Sequence, residues 1–210
     1  MQGQSPPDIL VEELLEVARR RFGHRCAGQV LGIRMALVGL AALGRSFRPG
    51  PRRDLVVVAE TDRCATDALE LATGCSLGRR TLQLIDYGVM AATFWDRPAD
   101  RAVRVLAREE ARERAARLFP NLAADPAAAQ RSAYLVLPPA ELFDLAPVAV
   151  HLPEHRLPGA AHRKIACHRC GQAVRDAREV WVAGRPLCRP CAGLAYFSPL
   201  PEKDERHAAV

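Results

Sequence analysis

Lysine is nearly missing from this chain: of its 30 basic residues only Lys164 and Lys203 are lysine, which leaves 28 arginines. Alanine is abundant. That pairing looks like GC-rich coding bias, so the formal charge of +6 and the pI of about 9.2 carry little weight as a sign of nucleic-acid binding. No sequence-specific nucleic-acid partner is expected. Also missing is any apolar run of the roughly 18 residues that a membrane span needs, so no membrane partner is expected either. The N-terminus, Met1-Gln2-Gly3-Gln4, has neither a basic segment nor an apolar signal core, so the chain is read as unexported and cytoplasmic. Disulfides are disfavoured: 7 cysteines, an odd number with two CxxC pairs, suit a reducing compartment and metal ligation. Disorder is excluded by a composition 49% hydrophobic and 26% charged. A length of 210 residues suffices for one core plus a small module.

Read in order, the chain opens with a helix capped by Asp8. It carries Leu10, Leu14, Leu15 and Val17, with glutamates in its first turns and Arg19 to Arg21 at its end, as the helix dipole favours. Gln29 to Leu43 is a second helix, apolar enough to be buried on most sides. Leu55 to Ala59 is a short β-branched run with the pattern of a fully buried strand. A helix from Ala65 to Thr73 follows, stopped by Gly74. Strands are expected at Arg80–Asp86, Met90–Trp95 and Ala102–Leu106. Helices are expected at Ala107–Leu118, from Asp125 with Pro126 at the first position, and at Ala140–Leu145. The domain reading is a core over residues 1–150, a Pro/Gly linker over 151–161, a cysteine module over 162–197 and a polar tail over 198–210.

The cysteine module gives the sharpest signal. Cys167-x-x-Cys170 and Cys188-x-x-Cys191 are separated by 17 residues, within the range that reads as a structural zinc site. Each CxxC knuckle aims two thiolates at one point, and four thiolates close a tetrahedral shell with no open position. Val180 to Val182 and Gly184-Arg185-Pro186 read as a hairpin delivering the second knuckle. So short a module needs the metal in order to fold. Its seven basic residues against two acidic ones give about +5, or near +3 with four zinc-bound thiolates. His151, His155, His162, His168 and His207 are read as solvated.

In the core, chemistry concentrates around Phe22-Gly23-His24-Arg25-Cys26-Ala27-Gly28. A thiol and an imidazole stand two residues apart beside glycine turns, at the start of a helix that lowers a thiol pKa. Cys64 follows the buried strand's carboxyl end, where ligand sites collect, and Cys75 lies just past the next helix. His24, Cys26, Cys64 and Cys75 are expected to converge, and one imidazole with up to three thiolates suits zinc or another thiophilic metal.

These stretches resemble the signatures of FmdE, the formylmethanofuran dehydrogenase E-subunit family. Phe22 to Gly28 is similar to the family's HGHxCPG motif. Glu60-Thr61-Asp62-Arg63-Cys64-Ala65-Thr66-Asp67-Ala68, Thr73 to Arg79 and Asp86-Tyr87-Gly88 are similar to its three later signatures, in order. The resemblance implies an α+β core like the catalytic domain of glyceraldehyde-3-phosphate dehydrogenases, in α-β-α-β-β-β order, followed by a four-cysteine zinc ribbon of treble-clef type. It also implies an active site at His24, Cys26, Cys64 and Cys75, with acidic support from Glu60. The sequence departs from the pattern at Phe22, where a histidine is usual, at Ala27, where proline is, and at Val89, where lysine is.

Three functional readings stay open. One is a metal-binding protein with a structural zinc and a second metal in the core pocket, acting as a small enzyme or as an accessory subunit linked to one-carbon and molybdoenzyme metabolism. Another is a metal-free thiol acyl or formyl transferase, with Cys26 as nucleophile and His24 as base. The last is a non-catalytic regulatory protein that docks through its ribbon. A protein partner or a small-molecule ligand is expected, and a homodimer is compatible with all three. Nothing in the chain marks a pterin site or an iron–sulfur cluster.

Overall fold

The computed structural model describes residues 6–159 and 163–200. Contacts divide the chain between Leu152 and Pro153 into two units. The larger unit begins with α1 (Pro6–Phe22) and α2 (Ala27–Ala42). Helix α1 starts two residues before Asp8, because prolines fit the first helical turn, where no amide hydrogen is needed. Strand β1 (Leu55–Ala59), α3 (Cys64–Thr73) and β2 (Leu82–Leu84) then form a parallel β-α-β step. Strands β3 (Ala91–Asp96) and β4 (Arg101–Ala107) continue antiparallel. After α4 (Glu109–Leu118), α5 (Pro126–Val136) and the short α6 (Pro139–Leu142), strand β5 (Phe143–Val148) pairs antiparallel with β4. The mixed sheet has the order β2-β1-β3-β4-β5.

Of the turn of helix expected over Ala140–Leu145, the first part is α6 (Pro139–Leu142), and strand β5 replaces the rest from Phe143 on. It is an edge strand with four exposed residues in a row, from Asp144 to Pro147, so it offers no burial alternation to read. Pro147 is tolerated there because an edge strand leaves one side without ladder bonds.

The sheet's two faces follow from the two-residue period of a strand. Leu55, Val57 and Ala59 of β1, Ala92 and Phe94 of β3, and Val103 and Val105 of β4 join the helices in one core. Val56, Val58, Glu60, Thr93, Trp95 and Arg104 therefore turn to the other face. Helix α2 is the centre of the helical layer, with Val30, Ile33 and Ala36 fully buried. Glycines let it come close to its neighbours. A Cβ at Gly32 would lie 2.5 Å from the Ala65 carbonyl oxygen of α3, and one at Gly39 would lie 2.3 Å from the Phe94 ring. That close crossing sets the starts of α2 and α3 side by side.

The smaller unit contains two hairpins, β6 (Lys164–Ala166) with β7 (Ala173–Arg175) and β8 (Val180–Val182) with β9 (Arg185–Leu187). The β8–β9 loop is Ala183-Gly184, both with positive φ (47° and 72°), the form whose twist matches a hairpin. Most of the tail expected over 198–210 lies outside the described residues.

Candidate metal centres

The ribbon cysteines stand at the ends of these hairpins. Cys167 follows β6, and the Gly171 amide donates to the Cys167 carbonyl to close the first knuckle, with Gly171 at φ 72°. Cys188 follows β9, and the Ala192 amide closes the second knuckle on the Cys188 carbonyl. The four sulfurs lie within 4.8 Å of one another. Two sulfurs bound to one tetrahedral zinc at about 2.3 Å stand about 3.8 Å apart, and Cys170 and Cys188 are 3.7 Å apart. Amides, the Cys188 amide first, lower the Cys167 thiol to about 6, while sharing a proton with Cys188 pushes Cys191 up to about 12.

The core cluster is built by two helix starts. Cys26 is the N-cap residue of α2, in extended conformation, and the buried Gln29 side chain accepts its amide at 3.1 Å. Cys64 is the first residue of α3. Its approach loop is pinned by Thr66, whose hydroxyl donates to the Thr61 carbonyl at 2.5 Å. Both sulfurs thus sit where helix dipoles favour negative charge. His24 completes the group: its ligand nitrogen and the two sulfurs lie within 4.8 Å of one another.

The imidazole is preset. Its Nδ1 is 3.0 Å from the Phe22 carbonyl oxygen, which can only accept, so Nδ1 carries the proton. Its Nε2 is left as the lone-pair nitrogen, 3.5 Å from the Cys64 sulfur. A metal-ligating histidine is commonly oriented this way, by donating its other N–H to a backbone carbonyl. The Cys64 contact, then the Phe22 carbonyl, raises the His24 pKa. One imidazole and two thiolates fit a thiophilic metal. Three protein ligands would leave one tetrahedral position open, in contrast to the closed ribbon.

Two expected site residues stand elsewhere. Cys75 is fully buried, its sulfur 3.6 Å from the Leu55 carbonyl at the start of β1, and burial pushes its thiol up. It lies at the far end of α3 from Cys64, and ten helical residues span about 15 Å. Glu60 follows Ala59, which faces the helices, so its side chain turns to the opposite face of the sheet. There its carboxylate is held by Arg104, with Nε at 2.7 Å and Nη2 at 2.6 Å. It gives the cluster no acidic support. His151 lines a cavity on that same face. Sequence reasoning missed this, although strand alternation from Val58 through Glu60 is a signal for the shared face.

The family described as "FmdE, Molybdenum formylmethanofuran dehydrogenase operon" matches residues 22–144. A probable S-adenosyl-L-methionine-binding protein of Archaeoglobus fulgidus is 31% identical over 109 residues, 51% of this chain and 30% of the relative. The chain thus spans less than a third of that relative's length. The crystal structure of a tungsten formylmethanofuran dehydrogenase FmdE-like protein from Syntrophus aciditrophicus is similar in fold. Its TM-score is 0.63 at 20% identity, covering 90% of this chain and 95% of that one.

Proposed function

The chain belongs to the FmdE family, and on that premise we propose that it is a two-centre metal protein: a zinc held by the ribbon for stability, and a second thiophilic metal held in the core with one exchangeable position. The observation that carries this is the convergence of His24 Nε2, Cys26 Sγ and Cys64 Sγ within 4.8 Å, with the imidazole already in the ligating tautomer. When bound, such a metal supplies Lewis-acid polarisation of whatever occupies the open position. His24, Cys26 and Cys64 would hold it, the two sulfurs standing at helix starts whose dipoles favour negative charge. The protein then acts as a small enzyme or accessory subunit in one-carbon or molybdoenzyme-linked metabolism. The order α2, β1, α3, β2, β3 and β4 supports reading the core as similar to glyceraldehyde-3-phosphate dehydrogenase catalytic domains. Seven free cysteines support a cytoplasmic setting. Among the described residues no helix is long and apolar enough to cross a membrane. The ribbon is the proposed contact for a protein partner.

Cobalt replacement tests the reading. Visible absorption of the cobalt protein should shift on adding cyanide through the core site alone, and the shift should vanish in Cys26→Ser. A spectrum indifferent to cyanide would remove the open position and leave a structural protein. The relative's name makes S-adenosylmethionine the first substrate to titrate.

A metal-free alternative draws on the 3.5 Å contact of His24 Nε2 with Cys64, which pairs the imidazole with that sulfur and not with the expected Cys26. In that reading Cys64 is the nucleophile, and a single alkylation at Cys64 of metal-free protein, lost in His24→Ala, would favour it.

A further inference from the structure

The face of the sheet turned away from the helices carries a cavity of about 480 Å³, a size suited to a small ligand. Its walls are apolar, with Val58, Ile85, Val89 and Val150 among them, and Tyr87 stands at its exposed rim. At its floor is the Glu60–Arg104 pair, with Glu60 only 5% exposed. Glu60 takes the Nε and Nη2 edge of the guanidinium. A guanidinium is a planar fork, so this fixes the plane of Arg104 and leaves its Nη1 end without a partner among the described residues. Glu60 also ties the wall in place, because its carbonyl accepts the amides of Tyr87 and Val89 at 3.0 and 3.1 Å. His151, exposed, lines the same cavity and offers an imidazole as a further donor.

We propose that this cavity is a binding site for a small carboxylate with an apolar body: the body lies against the valine and isoleucine walls, and the carboxylate accepts from Arg104 Nη1. Glu60 is the positioning residue, since both of its oxygens are used to aim the guanidinium. The choice of a carboxylate head follows from the donor set. Arg104 presents only N–H groups, and charge-assisted bonds to a carboxylate are about twice as strong as neutral ones. The site is separate from the cysteine–histidine cluster, because Glu60 and Cys64 face opposite sides of the sheet.

The test is calorimetric titration of the full chain with 4-phenylbutyrate and with its uncharged amide. The carboxylate should saturate one site and bind at least tenfold more tightly than the amide. Replacing Arg104 alone would strand a buried carboxylate, so the informative variant is the double Glu60→Gln with Arg104→Gln, in which the two probes should bind alike. Val150→Trp, which fills the cavity without touching the pair, should abolish binding of both. Cys26→Ser should leave binding unchanged, whatever becomes of the metal reading. Equal affinity of the two probes for the native chain, no saturable binding, or a tenfold preference that survives in the double variant would overturn the proposal.

Discussion

Single residues decide what the core cluster can hold. His24, Cys26 and Cys64 are legible as a group because each sits at a turn or a helix start, where the sequence itself announces the geometry through Gly23, Gly28 and the end of β1. Cys75 looks the same on paper, next to Gly74, but the intervening helix carries it away from the site. Helix length was the available signal: α3 begins at Cys64 and runs through Thr73. Cys75→Ala should therefore leave the metal content of the purified protein unchanged, whereas His24→Ala should weaken core metal binding, by roughly ten- to a hundredfold if the ligand's loss matches that of a supporting group. Metal titration of both variants separates them. Gly32 is equally specific. A methyl group there meets the Ala65 carbonyl at 2.5 Å, so Gly32→Ala should destabilise the fold by about 1–3 kcal/mol in denaturant unfolding. Because the same crossing aligns Cys26 with Cys64, it should also weaken metal binding at the core while sparing the ribbon.

Among the elements, those with strong periodicity or clear stops are legible and those at edges are not. Strand β1 is buried at every position, and its unbroken apolar run, with three valines in a row, says so. Helix α5 starts at Pro126, with Asp125 accepting the Ala128 amide at 2.9 Å, as the Asp-Pro pair announces. Strand β5 is invisible to pattern reading because pairing with β4, and not burial, makes it a strand. The joint between the α2–β1 loop and β3 is another feature without a local signal. Arg45 donates to both oxygens of Asp96 at 2.7 Å and also pairs with Asp54. The Arg45 bond holds the Asp96 carboxyl below its ordinary range, and Asp96 is 7% exposed. A lowered folded-state pKa gives stability that is present above the unfolded value of about 3.9 and is lost as pH falls through the folded one. Asp96→Asn should thus lower stability near neutral pH, by about 3–5 kcal/mol if it behaves as a broken buried pair. The gap to the native chain should narrow below about pH 4. Denaturant midpoints measured from pH 7 to pH 3 check the sign, and a gap that widens on acidification would contradict it.

For the whole molecule, the order of elements from α2 to β4 and the presence of a separate cysteine module follow from composition and spacing. What the sheet's second face does is not legible without coordinates. The Glu60–Arg104 pair joins residues 44 apart in sequence, and nothing local marks Arg104 as the partner of Glu60. The cluster of His24, Cys26 and Cys64 is the centre of the functional reading, and it makes a count the decisive quantity. In the proposed reading the ribbon accounts for one metal per chain, and the core for a second. Elemental analysis of protein purified under reducing conditions, native and with Cys26→Ser plus Cys64→Ser, tests this most directly. Two metal equivalents are expected in the native chain and one in the double variant, with the fold retained by circular dichroism. One equivalent in both proteins, after incubation with excess zinc and desalting, would contradict it.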